Sequence, residues 1–136
     1  MEYSEVIHII ADILKQYDDI KPIHKNFQPG IGPFGEPQIV KVISTILMRE
    51  GYTTVTKRTP DLVFNNEWGI EFKIVRPFGD NGKEAENWSV NLLHPYPGNT
   101  SLIGDAYKLQ GQVTNLRKGL CILGYEHNPA EINLDP

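Results

Sequence analysis

The side chains best suited to metal-assisted chemistry lie mid-chain: Asp61, in the only Pro-Asp pair of the sequence, and the acid and lysine of Glu71-Phe72-Lys73. Successive side chains of a strand point to opposite faces. If Trp68–Val75 is a strand, Trp68, Ile70, Phe72 and Ile74 form an apolar face, while Gly69, Glu71, Lys73 and Val75 share the other. Burying an acid and a lysine on one face of a central strand is costly unless they pair or hold a cation. Asp61 opens the neighbouring strand across a short turn. Two carboxylates and an ammonium then converge at one end of a sheet, an oxygen-rich setting of the kind Mg²⁺ prefers. The simpler alternative is a cross-strand salt bridge of Lys73 with Asp61 or Glu71, worth little where exposed.

An acid-x-lysine triplet means little by itself, and Asp19-Ile20-Lys21 is a second one, at a helix end before a proline. Context separates them, because only Glu71-Phe72-Lys73 falls in a strand pattern behind Pro-Asp. Glu36 is a further candidate acid. It precedes Ile39, Val40 and Ile43 at helical spacing and so shares their buried face. It either reaches into the site or complements the helix dipole from the first turn.

The elements that must position these residues follow from periodicity and punctuation. Val6, Ile9, Ile10, Ile13, Leu14 and Tyr17 recur at 3.6-residue spacing, which predicts a helix over 3–18 closed by Lys21-Pro22. Residues 26–35 read as loop. A second helix starts near Glu36-Pro37, with proline in the first turn, and stops at Gly51. Strands are predicted at Thr53–Lys57, Asp61–Phe64 and Trp68–Val75, the last two joined by Asn65-Asn66. Residues 76–100 read as irregular. A third helix runs from Thr100 or Ser101 to about Arg117 on Leu102, Ala106, Leu109, Val113 and Leu116, and a buried strand at Leu120–Tyr125 follows. The order is α-α-β-β-β-α-β, an α/β domain.

Pro60-Asp61 followed by Glu71-Phe72-Lys73 resembles the signature of the PD-(D/E)XK nuclease superfamily, and the resemblance covers about residues 35–126. It implies a restriction-endonuclease-like core, α-β-β-β-α-β with a mixed sheet flanked by helices, to which the helix at 3–18 is an N-terminal addition. It implies metal-dependent hydrolysis of phosphodiester bonds in DNA, with Mg²⁺ or Mn²⁺ held by Asp61, Glu71 and the Phe72 carbonyl. In that family many members add a glutamate from the preceding helix, and Glu36 is placed to match it. Lys73 then polarises the attacking water. A restriction-type or repair-type endonuclease fits better than a Holliday-junction resolvase, given the acidic balance and the long 76–100 insertion. A non-catalytic nucleic-acid-binding or assembly module is the alternative outside enzymology.

Composition frames these expectations. The chain has 136 residues, which favours a single domain over 1–136 that needs no staples. Its 13 basic against 17 acidic side chains give a net charge of −4, which argues against a broad polyanion-binding surface and leaves room for a local one. Lys57, Arg58, Arg76 and Lys83 are the candidate phosphate contacts around the site. In 76–100, Asn87, Trp88, His94 and Tyr96 are placed to wrap over the site or stack on bases, the alternative being that Trp88, Leu92 and Leu93 cap the core. His8 and His24 read as surface residues, and His127 follows the last strand with no metal-spaced partner. On the third helix Asp105, Lys108 and Gln112 lie opposite the best apolar stripe, so solvent is their default, with Lys108 or Gln112 in reach of the site. The single Cys121 fits an apolar core position and a reducing, cytoplasmic compartment. No apolar run is long enough to cross a bilayer, and no secretory leader is expected. A homodimer is expected for double-strand cleavage, and a recognition domain or subunit outside this sequence remains open.

Overall fold

The computed structural model describes residues 1–85, 88–93, 101–112 and 114–126. The elements are α1 (Tyr3–Asp19), α2 (Glu36–Arg49), β1 (Thr54–Thr56), β2 (Leu62–Phe64), β3 (Trp68–Val75), α3 (Trp88–Leu93), α4 (Leu102–Gln110) and β4 (Arg117–Gly124). The strands form one mixed four-stranded sheet in the order β1-β2-β3-β4. β1, β2 and β3 are antiparallel neighbours, whereas β4 lies parallel to β3 from Trp68↔Arg117 to Val75↔Gly124. A parallel pair needs a long crossover, and α3 and α4 lie within it. Among the described residues no helix is long and apolar enough to cross a membrane.

The core forms where the apolar face of β3 meets the apolar stripes of α1 and α2. Ile70 and Phe72 are fully buried, and Val6, Ile10, Ile13, Ile43 and Leu47 pack with them. The other face of β3 looks toward α4, as the contact of Lys73 with Asp105 shows. β2 is too short to show alternation and is buried throughout.

Local chemistry explains the boundaries. Gly35 caps α2, and Gln38 reaches back to accept its N–H at 2.8 Å, with Pro37 inside the first turn. Gly51, at φ +94°, follows the α2 C-cap in a conformation other residues adopt only with strain. Asn65 and Asn66 both take positive φ, and the Glu67 N–H donates to the Phe64 carbonyl at 3.0 Å, so the β2–β3 turn has the backbone that asparagine tolerates. The Ser101 hydroxyl caps α4 by accepting from Gly104 N–H; Thr100 lies outside the described residues.

The crossover departs most from expectation. The helix expected to reach Arg117 stops at Gln110, and β4 begins at Arg117 rather than Leu120. Gly111 ends the helix, and residues 117–119 extend the ladder against β3 instead. Leu116 therefore belongs to the approach to β4, with its Cδ1 near Gly69; Val113 lies outside the described residues. Among its described residues, the 76–100 stretch holds two small pieces of structure, a turn whose flanks bridge at Phe78 and Glu84, and α3. β1 and β2 are shorter than expected, so Asp61 stands just before β2 rather than opening it.

Candidate active site

The carboxylates of Asp61 and Glu71 meet because Pro60-Asp61 folds over the start of β3. Gly69 leaves the room this requires: a Cβ there would sit 3.0 Å from Pro60 Cγ. Asp61 Oδ2 then accepts from the Phe72 N–H at 2.8 Å, a backbone bond that fixes its carboxylate against β3. Its neighbour is Glu71, and the two carboxyls lie close enough for each to shift the ionisation of the other. Glu71 is only 5% exposed, and its Oε1 is buried with no hydrogen-bond partner. The two acids occupy one side of the sheet, the arrangement the strand alternation predicts.

Burial dominates the electrostatics. It pushes Glu71 up to about 8, with the charges of Asp61 and Asp105 adding to the effect. Burial also raises Asp61, against the opposing influence of the Phe72 N–H and Glu71. Glu36 is raised to about 7, first by burial and then by Asp61, with which it lines one cavity. Two acids as close as Asp61 and Glu71 do not both ionise readily, and burial leaves the proton favoured on Glu71.

Lys73 projects from the same face of β3 and donates to Asp105 Oδ2 at 3.4 Å, both side chains being 14% exposed. This corrects the solvent-facing assignment of Asp105. The expected stripe was drawn for a longer helix. In the shorter α4, Leu102 and Leu109 are buried, and Asp105 lies three residues from one and four from the other, on their face. That spacing was the available signal. Gln112 also turns inward, its Nε2 donating to the Thr59 carbonyl at 2.9 Å and bracing the backbone ahead of Asp61.

The basic candidates divide. Lys57 and Arg58 line a cavity of about 540 Å³ together with Glu36, Lys41, Thr56 and Asp61. Lys41 was not singled out from the sequence. Arg76 points elsewhere: its half-buried guanidinium donates to the Gly32 and Phe34 carbonyls. It anchors the loop that delivers Glu36 rather than offering a surface for phosphate. Lys83 stands exposed on the turn after β3. His8 is exposed and bonded to the Ser4 carbonyl, and His24 contacts the Asp80 carbonyl. Cys121 is buried in the core, its thiol raised by burial to about 11. Asn87, His94, Tyr96 and His127 lie outside the described residues.

The donor set suits a hard cation: carboxylate oxygens of Asp61 and Glu71, with Glu36 near by, and an orphaned buried Oε1 that a cation would satisfy. Among the described residues no three acidic, histidine or cysteine side chains form a ready-made metal cage. Metal binding would have to displace the proton that burial favours on Glu71. Compared with known proteins, the chain matches no family model, no curated protein and no solved structure.

Proposed function

We propose that this chain is a Mg²⁺- or Mn²⁺-dependent nuclease hydrolysing phosphodiester bonds in DNA, with the restriction-endonuclease-like core that its motif implies. The supporting observation is the half-buried Asp61 beside the buried Glu71 with its unpartnered Oε1, set next to a lysine on the same strand face. Asp61, Glu71 and the Phe72 carbonyl would hold the metal, with Glu36 at the edge. When bound, the ion supplies Lewis acidity toward the phosphoryl group and neutralises its charge.

The remaining chemistry belongs to the side chains. Lys73 orients and polarises the water whose oxygen bonds to phosphorus while the bond to one ester oxygen breaks, and its ammonium offsets the charge that develops. Asp105 holds Lys73 from the far side. Lys57, Arg58 and Lys41, on the cavity wall shared with Glu36 and Asp61, meet the phosphates flanking the scissile bond. The deciding experiment is cleavage of plasmid, single-stranded, junction and RNA substrates with and without Mg²⁺. Metal-dependent cleavage lost in Lys73→Ala supports the proposal; cleavage unchanged by that substitution sinks it.

One observation favours a second reading, a nucleic-acid-binding module without turnover: the described residues form no ready-made metal cage. Calorimetry separates the two. The module reading requires that neither Mg²⁺ nor Mn²⁺ binds, whereas the nuclease requires binding that Asp61→Ala abolishes.

A further inference from the structure

A second cavity, of about 630 Å³, lies across α2 from the first, between that helix and the end of α1. Its volume falls within the roughly 300–1,000 Å³ of ligand pockets. Tyr17 and Phe34 line it as a half-buried aromatic pair, ring centroids 6.3 Å apart and edge to face. Gln38 supplies an amide, and Lys41 and Arg49 supply positive charge. No acidic side chain is among its lining residues, in a chain whose net charge is −4. Lys41 lines both cavities, so the two meet at one cation.

We propose that this second cavity is a subsite for an unpaired nucleotide of the substrate strand, so that the nuclease acts on single-stranded or locally unpaired DNA. The subsite deepens the nuclease reading and rests on it for the position of the scissile bond. Aromatic faces take any base by stacking, but paired and stacked bases in a duplex hide theirs, so Tyr17 and Phe34 select an unpaired one. Gln38, whose Oε1 serves the Gly35 N–H, offers its Nε2 to the edge of that base. Lys41 and Arg49, about 12 Å apart along the helix axis, take two non-adjacent phosphates and lead the strand from the pocket toward Asp61. An apolar protein segment seated there would instead leave both cations desolvated and unpaired.

The test is fluorescence anisotropy of the full chain in EDTA with a labelled oligothymidylate and with a duplex of mixed sequence and equal length. Binding of the single strand should be about tenfold tighter, and Phe34→Leu and Arg49→Ala should each weaken it by about tenfold. Arg49 is exposed, so its removal does not threaten the fold; a retained urea midpoint validates Phe34→Leu. Equal affinity for the two substrates, or both variants within twofold of the parent, overturns the subsite. The two proposals fail separately. Metal-dependent cleavage with unaffected variants overturns the subsite alone, whereas Arg49-dependent binding of the single strand without any cleavage overturns the nuclease and leaves a binding pocket.

Discussion

Replacing Glu71 by Gln keeps the shape of a side chain that is 5% exposed and removes its ability to ionise. Burial, with Asp61 and Asp105 close by, moves this carboxyl from an ordinary 4.5 to about 8. Between those values the folded chain keeps a proton that the unfolded chain has released. The contribution is therefore fully present below about pH 4.5 and is lost as the pH rises through about 8. Each pH unit within the window is worth up to about 1.4 kcal/mol, a ceiling of roughly 4–5 kcal/mol. Asp61 shares the titration, so the pair releases its protons jointly and the observed loss is smaller. We expect at least about 2 kcal/mol between about pH 5 and 9, measured by urea unfolding in EDTA with tryptophan fluorescence. Glu71→Gln should lose most of that slope and exceed the parent in stability at the alkaline end. Saturating Mn²⁺ at that pH should restore the parent by about 2.7 kcal/mol at a hundredfold excess over Kd, and leave Glu71→Gln unmoved. A parent whose stability is flat across this range, or a variant with the same slope, would refute the reasoning.

The other expectations concern the lysine, the core and the thiol. Lys73→Ala should lower cleavage by about 10²–10³-fold, the scale of one lost charge-stabilising donor. Asp105→Asn, which leaves a weaker partner for Lys73, should lower kcat by about tenfold with KM unchanged, as steady-state kinetics on a short substrate would show. Phe64→Ala, at a fully buried position of β2, should cost about 3–5 kcal/mol in urea unfolding. The Cys121 thiol should resist a thiol-reactive chromogen near pH 8 until urea unfolds the chain.

Part of this architecture is legible because some residues permit one local answer. The alternation in Trp68–Val75 fixed both the strand and the face from which Glu71 and Lys73 project, and β3 has those bounds. Glu36-Pro37 and Gly51 likewise bracket α2 by their backbone requirements. The crossover is different. Leu102, Ala106, Leu109, Val113 and Leu116 satisfy a helical period over a stretch in which Gly111 in fact ends the helix and Arg117 already belongs to the sheet. What overrides the period is the parallel ladder, a contact between residues some fifty positions apart that no local pattern encodes.

That error and the missed Asp105 have a single cause. Extending the helix rotates the best-fitting stripe toward 106–113 and carries Asp105 to the solvent side; ending it at Gln110 leaves Leu102 and Leu109 as the buried pair, with Asp105 between them facing β3. A boundary mistake at one end of an element thus changed which charges belong to the site. Arg76 presents the reverse case. Its position just past β3 suggested a phosphate contact, yet its donors serve the Gly32 and Phe34 carbonyls, acceptors supplied by a loop with no periodicity to read. Charge near a motif therefore marks a neighbourhood. Whether each cation serves substrate or scaffold depends on where unpaired backbone carbonyls fall, and here Lys57 and Arg58 line the cavity while Arg76 holds its frame.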